Sequence, residues 1–108
     1  MRRGDIVTVA VPGDYGKPRP AVIVQTDAFP ATHASVVVCQ MTSALVDVSF
    51  RVTVEASPDN GLQATSQIMA DKPITVRWEK IGRRIGRLSA LEISRLNGAL
   101  AFVMGLAG

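Results

Sequence analysis

Hydrophobic and polar positions along the chain read as short strands, mostly apolar runs, up to about residue 78 and take a helical period at the end. Residues 6–11 are a mostly β-branched run, and Pro12-Gly13-Asp14 stops it with a turn signal. Residues 21–25 and 35–41 are short and almost continuously apolar, which predicts strands covered on both faces. Residues 46–55 alternate apolar and polar without a break, the pattern of a strand with one wet face. Ser57-Pro58-Asp59-Asn60-Gly61 ends that run and turns the chain. Residues 67–70 and 74–78 predict two further short strands on either side of Lys72-Pro73. The period then lengthens. Ser89-x-x-Glu92 is a capping box, and Ile93, Leu96, Leu100 and Met104 follow at helical spacing. Gly98 weakens this helix by about 1 kcal/mol relative to alanine, so it marks either a close approach of another element or a tolerated position.

Five to six short strands and one terminal helix predict a mainly β fold, a small antiparallel SH3-like β-barrel with a C-terminal α-helix. No repeat or linker divides residues 1–108, so one domain is expected. A chain of this length buries roughly two-thirds of its unfolded surface without disulfides or metal. Its single Cys39 can form no intrachain bridge, which fits a reducing compartment. No apolar h-region follows the basic N-terminus and no segment approaches the ~20 apolar residues of a membrane span, so a cytoplasmic protein away from membranes is expected. The strands between Val7 and Val38 carry more apolar surface than one small barrel absorbs, and a homodimer interface is the expected use of the rest.

Charge changes this picture because it is unevenly placed. Residues 1–70 hold five Lys/Arg and six Asp/Glu, whereas residues 71–108 hold seven Lys/Arg and three Asp/Glu. Lys72, Arg77, Lys80, Arg83, Arg84 and Arg87 form the footprint of a polyanion binder or a solvated basic face. With only Phe29, Phe50, Phe102, Tyr15 and Trp78 as aromatics, a base-stacking platform is excluded. Nucleic-acid contact would rest on phosphates and a few polar groups.

One arginine stands out. In Lys17-Pro18-Arg19-Pro20, two prolines fix their own φ, and Pro20 keeps Arg19 out of the helical region. A permanently charged guanidinium on so restricted a backbone suits phosphate recognition. The plainer reading is an ion pair to Asp5 or Asp14.

Arg3-Gly4-Asp5-Ile6-Val7, a Gly-containing loop and Arg19-Pro20-Ala21-Val22-Ile23-Val24 resemble the opening of the MazF/PemK (Kid) family of toxins. Val36-Val37-Val38-Cys39-Gln40-Met41-Thr42-Ser43 is similar to that family's third strand, which ends in a threonine. Ser66-Gln67-Ile68-Met69-Ala70-Asp71-Lys72-Pro73 resembles the segment bearing an acidic residue, and Ile81-Gly82-Arg83-Arg84-Ile85-Gly86-Arg87-Leu88 leads into a terminal helix as in PemK-like members. The resemblance spans nearly the whole chain in order. It implies a CcdB/MazF-like barrel and the toxin of a toxin–antitoxin pair. Such a toxin is a metal-independent endoribonuclease that cuts single-stranded mRNA, leaving 2′,3′-cyclic phosphate and 5′-hydroxyl ends. It also implies a homodimer and an inhibitory antitoxin of MazE or PemI type, laid as an acidic tail over the basic groove.

The residue roles follow from that resemblance. Arg19, Thr42 and Asp71 are the expected catalytic set: charge stabilisation, a hydroxyl donor and the acceptor of the 2′-proton. Lys17, Ser43, Gln67, Lys72 and Arg77 are the expected RNA contacts. No cofactor is expected, and one Cys and one His at unrelated places make no zinc site. The chain departs from PemK-like members in carrying Met69 where they have an arginine, and its first loop lacks a histidine found in some. Either Lys17 supplies the missing charge or the protein follows the MazF arrangement of arginine plus threonine. His33 falls in a linker away from these motifs, Cys39 reads as a buried inert thiol, and Trp78 as a packing residue. Two other readings compete: a CcdB-like toxin that binds DNA gyrase, disfavoured by the Gly105-Leu106-Ala107-Gly108 terminus, and a barrel that only binds a partner.

Overall fold

A computed structural model of the chain describes residues 1–11 and 17–107. The turn expected at Pro12-Gly13-Asp14 and the end of the chain at Gly108 lie outside them. The strands are β1 (Asp5–Val9), β2 (Arg19–Ile23), β3 (Ser35–Thr42), β4 (Arg51–Val54), β5 (Ser66–Arg77) and β6 (Ile81–Arg87). They form one antiparallel sheet in the order β4-β5-β3-β2-β1-β6, followed by helix α1 (Ala90–Val103). The sheet curls in barrel-like fashion without β4 and β6 pairing. The loop before residue 62 covers the edge of β6 instead, where the Arg87 N–H donates to the Asp59 carbonyl at 3.0 Å.

The expected helix forms, and its capping box is complete. The Glu92 N–H donates to Ser89 Oγ at 3.2 Å and the Ser89 N–H to Glu92 Oε1 at 2.8 Å. Leu96 is fully buried and Ile93 and Leu100 pack beside it, but Met104 is the exposed C-cap. A Cβ on Gly98 would meet nothing within 4 Å, so no element of the described chain presses on it.

Two adjacent expectations fail for local reasons. Residues 46–50 alternate like a strand yet form none. The Gln67 side chain accepts from the Val46 N–H at 2.9 Å and donates to the Val46 carbonyl at 2.8 Å, replacing a strand partner with one amide. The two short strands around Lys72-Pro73 are one long strand. Pro73, which lacks an N–H, pairs opposite Cys39 beside a register shift between Cys39 and Met41, where a missing donor is tolerated.

The apolar strands bury both faces. Ile6, Val22, Cys39, Met41 and Ile68 pack under α1, while Val7, Val9, Ala21, Ile23, Val36 and Val38 form a second core on the opposite face. These residues are at most 5% exposed, so the fold absorbs the apolar surplus that was expected to enter a dimer interface. The exposed apolar surface lies elsewhere, at Phe29, Leu45, Val46, Leu91, Phe102 and Leu106.

A candidate phosphate-binding cleft

Arg19 opens β2 and Thr42 closes β3, strands that are hydrogen-bonded neighbours. Both residues, with Ser43, line a cleft of about 620 Å³. Met69 from β5 and Arg83 from β6 complete its walls. Among its described lining residues two are arginines and none is a carboxylate or an imidazole. The cleft is therefore electropositive and suited to an anion.

Each polar group is held by local chemistry. Arg19 is exposed and has an interaction of its own within the chain. Thr42 Oγ1 accepts from the Ala44 N–H at 3.1 Å, the strand-end turn expected of a threonine there. That bond uses an oxygen lone pair and leaves the hydroxyl proton to donate. The far wall is the loop through Asn60, Gly61 and Leu62. Asn60 is buried, accepts from the N–H groups of Ser57 and Leu62, both at 3.0 Å, and donates to the Glu55 carbonyl at 2.8 Å. Gly61 has a φ of +68°, and a Cβ there would run into the Ile85 carbonyl.

The other expected site residues are elsewhere. Asp71 does not line the cleft. Its carboxylate accepts two bonds from Arg51, at 2.9 and 3.3 Å, and the guanidinium holds it below the usual carboxylate range. Gln67 is buried and holds the chain after Thr42 through Val46, with a further bond to Thr53 Oγ1 at 3.2 Å. Lys17 and Lys72 are exposed but do not line the cleft. Arg77 pairs with Glu79 at 3.0 Å at the opposite end of β5 from Met69, about 25 Å away along the strand.

The secondary readings fare well. Cys39 is buried and its thiol is pushed up to about 11, chiefly by burial. Trp78 packs against the second core, and its ring N–H donates to the His33 carbonyl at 2.9 Å. His33 lies against Phe29, with ring centroids 4.7 Å apart, and does not line the cleft. The sequence reading missed Arg83 as a wall of the cleft. Its only signal was membership of the basic run before α1.

Fold and cleft together define a small curled β-sheet protein with an anion-directed cleft. Residues 2–104 match the family described as PemK-like, MazF-like toxin of type II toxin-antitoxin system, and the chain belongs to that family. It is 44% identical over 110 residues to the "Probable endoribonuclease MazF" of Mycolicibacterium smegmatis, with both chains covered in full. Among solved structures it resembles "Mycobacterium tuberculosis toxin MazF-mt6" with a TM-score of 0.84 and 25% identity, over 96% of this chain and 99% of that one. It also resembles "Endoribonuclease in complex with its cognate antitoxin from Mycobacterial species", with a TM-score of 0.85 and 23% identity, over 100% of this chain and 98% of that one.

Proposed function

We propose that this toxin-family member is an endoribonuclease that cuts single-stranded mRNA at the cleft between β2 and β3. The observation that carries the reading is the meeting of Arg19, Thr42 and Ser43 in one electropositive cleft. In the reaction the 2′-oxygen attacks the adjacent phosphorus and loses its proton, while the bond to the 5′-oxygen breaks and that oxygen gains a proton. The products are a 2′,3′-cyclic phosphate and a 5′-hydroxyl. Arg19 supplies donors to the non-bridging oxygens as charge builds in the pentacoordinate transition state, an effect of about 10²–10³ in rate for one such donor. A permanently protonated guanidinium stabilises charge better than it releases protons. Thr42 donates its free hydroxyl proton to the same phosphate, and Ser43 stands beside it. We assign Asp71 an anchoring role, because the Arg51 pair makes it a weak proton acceptor outside the cleft.

The type II toxin family supports an antitoxin as partner, which in this reading covers the same cleft with acidic groups. A homodimer is supported by the exposed apolar stripe of Leu91 and Phe102 on α1, on either side of Gly98. Among the described residues no helix is long and apolar enough to cross a membrane. Action on mRNA supports a cytoplasmic location.

The test incubates purified protein with single-stranded RNA in EDTA, beside Arg19→Ala and Thr42→Ala. Cleavage with cyclic-phosphate ends by the wild type, and a loss of at least a hundredfold in Arg19→Ala, is expected. Equal rates for wild type and Arg19→Ala would refute the assignment of the site.

A further inference from the structure

We infer that Arg83 is a second phosphate-binding residue of the cleft, holding an RNA linkage that flanks the scissile one. The inference rests on the ribonuclease reading above and adds a subsite to it. Arg83 comes from β6, whereas Arg19 comes from β2, and β1 runs between them. Two inter-strand spacings separate their backbones by roughly 10 Å. A single phosphodiester carries one negative charge, so two guanidiniums from strands two spacings apart are better satisfied by two linkages than by one.

The local backbone is built to aim this residue. β1 pairs with β6 through Val7↔Arg84 and Val9↔Ile81, so two residues of β1 span three of β6. This bulge lies opposite Thr8, which is also a lining residue of the cleft. The Arg83 N–H has lost a ladder partner and donates to Thr8 Oγ1 at 3.1 Å instead. Gly82 makes room, since a Cβ there would overlap Thr8 Oγ1. A bulge of this kind redirects a side chain. The two successive arginines then part company. Arg84 turns to the buried Asp5, 3.2 Å away, while the Arg83 guanidinium makes no ion pair or hydrogen bond among the described residues. An exposed cation without a partner among the described residues, in a cleft whose described lining holds no carboxylate, has its charge available for a ligand.

A contact to a flanking phosphate is present equally in the bound substrate and the transition state, so it governs KM and leaves kcat alone. The experiment uses a short RNA bearing a cleavage site mapped with the wild-type protein, and compares Arg83→Ala, Arg83→Lys and Arg19→Ala. Arg83→Ala is expected to raise KM about five- to twentyfold with kcat within threefold, the weight of a charge-assisted contact. Its salt slope of log(kcat/KM) is expected to be shallower by about 0.7, one counterion fewer on a single strand. Arg83→Lys recovers most of the loss. A neutral methylphosphonate at one flanking linkage weakens wild type to the same degree and does not weaken Arg83→Ala further.

Unchanged KM and salt slope in Arg83→Ala, with its melting temperature intact, would overturn the subsite. A hundredfold fall in kcat at constant KM would overturn it too, by moving Arg83 to the reacting phosphate. Failure of the wild type to cut RNA, or full activity in Arg19→Ala, would instead strike the ribonuclease reading beneath it.

Discussion

Replacing Asp71 by asparagine separates the proton-accepting role expected from the family resemblance from the anchoring role assigned on the Arg51 pair. Asparagine keeps the shape but removes the charge from a carboxylate bound by Arg51 at 2.9 and 3.3 Å. Exposed ion pairs contribute about 0.2–1 kcal/mol, and breaking a fully buried one costs about 3–5 kcal/mol. The two side chains are 14% and 24% exposed, between these limits, and the pair joins edge strand β4 to β5. A loss of about 1–2 kcal/mol is therefore expected, which lowers Tm by roughly 5–15 °C in a domain of this size. Arg51→Gln is expected to cost a similar amount, and the double variant little more than either single one. The folded carboxyl titrates below its unfolded value, so the stabilisation is complete above about pH 4 and lost as pH falls toward the folded pKa. Thermal melts of the four proteins across pH 3–7 (roughly the range spanning that transition) measure this. Cleavage rates well below Tm supply the other half, with kcat of Asp71→Asn expected within tenfold of wild type. Loss of a general base removes about 10²–10⁴ in rate. An unchanged Tm together with a kcat reduced more than a hundredfold would refute the anchoring role and return Asp71 to the reacting proton.

Three further outcomes are expected. Gly86→Ala drives a Cβ into the Asn60 backbone, so it costs about 1–3 kcal/mol by overpacking and shifts the cleft wall. Melting should fall and kcat/KM with it, and a variant that melts and cleaves like wild type would contradict the packing. Burial raises the Asp5 carboxyl, but bonds from the Arg2 N–H at 2.7 Å, Arg87 at 2.9 Å and Arg84 outweigh it and hold the group below its ordinary value. Denaturant midpoints should stay level above about pH 4 and decline below it, and Asp5→Asn should lose that acid dependence. Cys39, with its thiol pushed up to about 11, should react with a thiol reagent only as fast as the protein opens. Rapid labelling of the native protein would show that the strand is not closed.

The basic run before α1 shows why part of the site escaped the linear pattern. Residues 81–87 hold two glycines and three arginines and are not among the strands expected from the sequence, yet they form β6. Gly86 lets the Asn60 backbone lie directly against the strand, and Asp5 draws off the charge of Arg84 and Arg87. Neither cause is visible without residues that arrive from far along the chain, Asn60 from 26 positions before Gly86 and Asp5 from 79 positions before Arg84. Asp71 escaped for the same reason, since its partner Arg51 sits on another strand.

What the sequence determined on its own is the set of elements whose causes are local. The β-branched runs of β1, β2 and β3, the capping box of α1 and the proline clamp on Arg19 each follow from neighbours a few residues away. Tertiary structure decided which charged groups meet. It sent Arg84 to Asp5, Asp71 to Arg51 and Arg83 to the cleft, because strand order and β-bulges set distances that no linear spacing encodes.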